Sequence, residues 1–179
     1  MTTQKKESTM PKTITKTVYE YDELPTEKAK ERALNWYLEG AFDNEWWQST
    51  YDDAAHVGIR ITSFDLDRNK RAEGDFINHA DACAEKILEE HGETCGSYKT
   101  AKDYLAKVKA IVDGMPDSDD FSETEDELEE LASEFLRAIL EEYASMLQKE
   151  ADYMSSREYL EEGIRANEYT FDKNGKREG

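Results

Sequence analysis

Long hydrophobic runs are missing from this 179-residue chain, and so are a cysteine framework and an excess of basic charge. No apolar stretch approaches the roughly 18 residues of a membrane span. The leading MTTQKKESTMPK carries no apolar stretch behind its lysines to serve as a signal peptide. A cytoplasmic protein without membrane contact is therefore expected. Cys83 and Cys95 are the only cysteines, too few for a disulfide scaffold, and a reducing compartment keeps such residues as thiols. Lys and Arg number 23 against 42 Asp and Glu, a formal net charge of −19. That balance excludes the simple electrostatic route to nucleic acid, which needs basic side chains to displace counterions from phosphates. Direct nucleic-acid binding is not expected, and a charged partner should be basic. No internal repeat is visible.

What is present describes a folded body. Aromatic residues make up 11% and hydrophobic residues 37% of the chain, and disordered chains seldom carry so much Trp and Tyr. TITKTVYEY at 13–21 is rich in β-branched and aromatic residues and reads as a strand. Thr26 caps a helix with Ala29 at N3, carrying Ala29, Ala33, Trp36 and Tyr37 until Gly40 stops it. A second helix, capped by Asp43 or Asn44, takes in Trp46, Trp47, Tyr51, Ala54 and Ala55. IRITSFDLDR at 59–68 is the strongest strand. Its alternation shifts between Ile59/Ile61 and Phe64/Leu66, which a bulge near Ser63 reconciles. Helices follow from about Phe76 to His91, from Tyr98 to Val112, from about 122 to 152 and from Ser155 or Ser156 to Arg165, and a short strand closes NEYTFDKNGK. The long helix has Leu128, Leu131, Phe135, Ile139, Tyr143 and Met146 as its apolar stripe. The expected fold class is α+β: a small antiparallel sheet of about three strands covered by about six helices. One domain at 13–172 is expected between a flexible basic tail at 1–12 and a flexible tail at 173–179.

The charge is concentrated. From Asp113 to Glu162 there are 18 acidic residues against Arg137, Lys149 and Arg157, so this window holds −15 of the total. By contrast, 1–18 has four lysines against Glu7, and 99–109 has four against Asp103. On a helix, carboxylates four residues apart stand about 6 Å apart along the axis. Glu123, Glu127, Glu130, Glu134, Glu141 and Glu142 would thus form a line that a groove built for phosphates can accept, with Asp117, Asp119 and Asp120 extending it. The bland reading is a solvated helix face, which most acidic helices are. Against it, like charges at i and i+4 cost helix stability, and few basic residues are interleaved here to relieve them.

Other chemistries find less support. His79-x3-Cys83 and His91-x3-Cys95 have a spacing that can chelate zinc. Cys83 lies on an apolar stripe, however, Gly92 separates the second pair from its helix, and buried thiols with surface histidines are expected instead. Asp65-Leu66-Asp67-Arg68-Asn69 copies the start of a calcium loop, but Lys70 stands at the sixth position and Phe76 at the twelfth. The run from Asp117 fails likewise, with Ser122 and Leu128 there. His56 near Trp46, Trp47 and Tyr51 fits a helix packed on a strand. Trp36, Tyr37, Trp46 and Trp47 suit a core better than a ligand pocket. No nucleophile with its base, phosphate loop or carboxylate pair emerges, so no enzyme, cofactor or resident metal is expected.

Several stretches carry a family likeness: Tyr21-Asp22-Glu23-Leu24 and the Ala-rich helix to Trp36, EWWQSTYDDAAHVGIRITSFDLDR at 45–68, Gly74-Asp75-Phe76, EEHGETCGSYKTA at 89–101, and ANEYTF at 166–171. Through these the chain resembles a widespread, mostly uncharacterised family of small acidic phage and mobile-element proteins, some labelled antitoxin-like. The resemblance brings no site residues. It implies a protein that acts on host machinery in the host cytoplasm, by analogy with acidic anti-CRISPR and anti-restriction inhibitors that imitate DNA. The expectation is a DNA mimic that occludes a basic nucleic-acid-binding protein or complex of the host, through the nine acidic residues from Asp117 to Glu142 named above. The alternative is an antitoxin-like or regulatory module that binds protein through the aromatic segment 36–51.

Overall fold

The computed structural model describes residues 15–115 and 122–179. The basic tail at 1–12, the strand start at Thr13 and Ile14, and the predicted partner-binding residues Asp117, Asp119 and Asp120 lie outside the described residues. In chain order the elements are β1 (Tyr19–Glu20), a 3-10 turn (Tyr21–Glu23), α1 (Glu27–Ala41), α2 (Gln48–His56), β2 (Ile59–Asp65), β3 (Arg71–Phe76), α3 (Ala80–Glu90), α4 (Gly96–Asp113), α5 (Ser122–Met154), α6 (Arg157–Ala166), β4 (Thr170–Phe171) and β5 (Arg177–Glu178). The fold is α+β, with two small antiparallel sheets among the described residues. The sequence reads as one domain over 13–172, and the described residues group into two compact units: 15–41 with Arg157–Gly179, and Phe42–Ser156.

The smaller unit is built from both sides of the larger one in sequence. Its sheet has the order β1-β4-β5, with Tyr19 opposite Phe171 and Thr170 opposite Glu178. Thr26 caps α1 as its sequence requires, its hydroxyl accepting the Ala29 N–H at 3.2 Å. The helix passes Gly40 and ends at Ala41. Tyr21, Leu24, Ala33, Leu160, Ile164 and Phe171 form the core, with Trp36, Tyr37 and Tyr169 packed against it. Arg165 forks onto both Asp22 oxygens at 2.8 and 2.9 Å and also reaches Glu161 at 3.0 Å. These partners hold the Asp22 and Glu161 carboxyls below the usual range, the larger effect on Glu161 coming from Arg157. The predicted tail at 173–179 is corrected, since it returns as β5. Asp172 accepts the backbone N–H of Asn174 and of Lys176, and Gly175 turns the chain at φ +78° against the Ala29 carbonyl, where a Cβ has no room.

In the larger unit β2 and β3 pair as a hairpin whose register shifts between Ile61 and Ser63, the bulge that the change of parity predicts. Thr62 is the extra residue, its hydroxyl donating to the Glu73 carbonyl at 3.2 Å, and Phe64 follows the isoleucines onto α2, meeting Tyr51. β3 corrects the reading of Phe76 as a helix start. RAEGDF has no β-branched residue to announce a strand, while Gly74 brings its backbone against the Arg60 carbonyl where a Cβ would collide. Accordingly, α3 starts at Ala80, and α2 starts at Gln48, leaving Trp46 and Trp47 in the preceding turn.

Buried Ile59, Ile87, Phe135, Ile139 and Tyr143 bind the hairpin to α3, α4 and α5. The Phe135 ring stacks on Tyr104 with centroids 4.4 Å apart. The apolar stripe of α5 is corrected at one position: Met146 is 44% exposed and Leu147 is fully buried. Ile139, Tyr143 and Leu147 keep a step of four, one turn each.

Candidate functional site

The acidic face of α5 is real as geometry. At 100° per residue, Glu123, Glu127, Glu130, Glu134 and Glu141 fall within about 40° of one line, and all five are exposed. The row is about 27 Å long at 1.5 Å per residue, and Arg137 is the one basic residue on it. Among the described residues none of these carboxylates forms an ion pair with a cation of the chain. Two lysines of the neighbouring α4 are paired within their own helix, Lys107 with Asp103 at 3.1 Å and Lys109 with Asp113 at 3.0 Å. Glu127, Glu130 and Glu134 nonetheless border an open groove with Lys107, Ala110 and Ile111, so one flank of the row faces α4.

Glu142 stands elsewhere. It lies about 100° around the helix from Glu141, and its carboxylate rests against Gly96. Gly96 is the first residue of α4, where the helix dipole favours negative charge. Its place is therefore at a helix junction, away from the row. Asp152 takes its position in the pattern: it is exposed, three turns beyond Glu141 on the same face.

The aromatics of 36–51 divide between the two units. In the smaller one Trp36 meets Tyr169 edge-on at 5.1 Å and Phe171 at 5.8 Å. The Arg177 guanidinium covers this cluster, 4.8 Å from the Tyr169 ring and 5.7 Å from Trp36. In the larger unit Trp46 contacts Phe42, Trp47 and Phe64 in T-shaped pairs at 5.7, 5.9 and 5.7 Å. Phe42, Trp46 and Phe64 line an open groove of about 450 Å³ together with Asp65, Asp67 and Asp152. Among the described residues no cation of the chain lies over these rings.

The remaining candidates take structural places. Cys83 is buried, and burial pushes its thiol up to about 12, while Cys95 is exposed at the start of α4. His79 precedes α3 and is exposed. His91, expected at the surface, is mostly enclosed. Its Nδ1 meets the Ser97 hydroxyl at 2.7 Å, and its Nε2 lies 3.6 Å from Asp53, which also accepts the Tyr143 hydroxyl at 2.9 Å. Burial first, then the Asp53 carboxylate, raises the Tyr143 pKa. His56 pairs with Glu90 at 3.4 Å. Among the described residues no group of three or more His, Cys, Asp or Glu is arranged to hold a metal, and no helix is long and apolar enough to cross a membrane.

Sequence reasoning missed the groove. Its one local signal is Asp65-x-Asp67, which in sequence copies the start of a calcium loop. In the structure Asp65 accepts the Asp67 N–H at 2.9 Å and shapes the turn of the hairpin. Compared with family models, characterised proteins and solved structures, the chain matches none.

Proposed function

We propose that the protein is a stoichiometric inhibitor that lays the acidic face of α5 in the basic nucleic-acid channel of a host nuclease or surveillance complex, as an anti-CRISPR or anti-restriction DNA mimic does. The observation that carries this reading is the exposed row Glu123, Glu127, Glu130, Glu134 and Glu141, whose members lack internal ion pairs among the described residues. A row of like charge without internal partners costs helix stability, and a basic surface laid against it reverses that cost. Such a complex forms fast at low salt and weakens as salt screens it.

The test is capture from a host lysate by the wild type and by a variant with Glu127, Glu130, Glu134 and Glu141 all changed to Lys, both verified as folded. The wild type should retain a nucleic-acid-binding complex at low salt and release it to high salt or competing DNA. The variant should retain none of it. A partner kept by the variant and resistant to salt overturns the reading. It would favour the alternative, an antitoxin-like or regulatory module, for which Trp46, partly buried and lining its groove, is the support from segment 36–51.

A further inference from the structure

We infer that the groove of Phe42, Trp46 and Phe64, rimmed by Asp65, Asp67 and Asp152, is a receptor for one arginine side chain of the basic partner. The inference deepens the proposal above and rests on its reading of that partner as basic.

Aromatic faces attract cations through the ring quadrupole, most strongly at tryptophan. The walls of the groove supply such rings around Trp46. Carboxylates close by then complete the charge balance of a desolvated cation. Asp152 holds the Gln148 side chain at 2.8 Å through one oxygen, and Asp65 holds the Asp67 N–H through one oxygen. The second oxygen of each, and both of Asp67, remain for a ligand, and none of the three forms an ion pair among the described residues.

Arginine suits this chemistry better than lysine. Its planar guanidinium stacks on rings and presents a fork of donors to carboxylates, whereas an ammonium is a compact, strongly hydrated charge. The chain already uses that chemistry internally, with Arg177 lying on Trp36 and Tyr169. The place of the groove also fits. Asp152 continues the face of α5 that carries Glu123 to Glu141, so a basic strip lying on the row reaches the groove at its C-terminal end.

The experiment follows the Trp46 indole N–H by NMR, identified through a Trp46→Phe variant, while the full chain is titrated with N-acetyl-arginine amide. N-acetyl-citrulline amide, the neutral isostere, is the control. Arginine should shift the resonance saturably and citrulline should not. An Asp65→Asn, Asp152→Asn double variant, which keeps the turn and the Gln148 contact, should weaken the response at least tenfold. A variant with Glu123, Glu127, Glu130, Glu134 and Glu141 changed to Gln should leave it unchanged. An absent response, an equal response to citrulline, or an undiminished response in the Asn variant overturns the inference. No partner protein is present in this titration, so its failure leaves the reading of α5 standing, and failure of the lysate capture leaves the titration's answer standing.

Discussion

Two aromatic clusters in this protein are built from similar parts and finished differently. In the smaller unit Trp36, Tyr169 and Phe171 are closed by Arg177 of the same chain. In the larger unit Phe42, Trp46 and Phe64 have a rim of three aspartates and, among the described residues, no such cation. The first cluster satisfies itself and reads as architecture. The second has aromatic and anionic groups around its groove and, among the described residues, no cation over its rings. A tryptophan on a helix-forming stretch thus says little about function until its surroundings are known.

The comparison breaks most visibly if the rings are removed. Phe171 is fully buried and Phe64 only partly. Phe171→Ala should therefore cost about 3–5 kcal/mol, and Phe64→Ala roughly 1–1.5 kcal/mol, both read from denaturant unfolding. Equal costs would mean that the groove is core. The polar anchors come next. Tyr143→Phe leaves Asp53 with His91 at 3.6 Å and should cost about 1–2 kcal/mol. Tyr21→Phe should cost about 0.5 kcal/mol, because Glu161 keeps Arg157 and Arg165.

Acid should separate the units as well. Asp22 and Glu161, with depressed pKa values in the folded state, contribute stability above their ordinary values of 3.8 and 4.5. That contribution is lost as the pH falls below those values toward the folded ones. Asp172, held down by the backbone N–H of Lys176, adds to it. All three belong to the smaller unit, whereas in α3 of the larger unit Glu90 is held down by Lys86 and His56. With three such carboxyls against one, amide exchange in the smaller unit should accelerate first on acidification, and earlier loss of protection in α3 to α5 would contradict this. The remaining effects, also small, concern the cation itself. Arg177→Ala should cost about 0.5–1 kcal/mol. Ser155→Arg, which offers the open groove a guanidinium of its own, should stabilise by less than that while suppressing the arginine response of Trp46.

Much of the fold is legible in local pattern. The Thr26 cap, the bulge between the two parities of β2 and the length of α5 all follow from nearest neighbours in sequence, because each is a local hydrogen-bonding or periodicity problem. β3 is not, since RAEGDF forms a strand only because β2 is beside it and Gly74 permits the approach. Of the candidate site, five glutamates of the row were readable from a step of three, four or seven. Glu142 was misplaced by a single residue, which on a helix is a rotation of about 100°. The groove escaped altogether, because its walls come from 42–46, 64–67 and 152, three stretches that no window joins.

The pairing of β1 with β4 has a consequence for how the protein is made. A ribosome delivers Tyr19 about 150 residues before its partner Phe171, at a rate of roughly 5–20 residues per second. The larger unit holds all its own strands and helices between 42 and 156, so it can fold while the first strand still waits. For several seconds the nascent chain therefore carries an unpaired edge at Tyr19–Glu20. A nascent product stalled before residue 170 retains the acidic helix and the groove and lacks the strand that would close the other sheet.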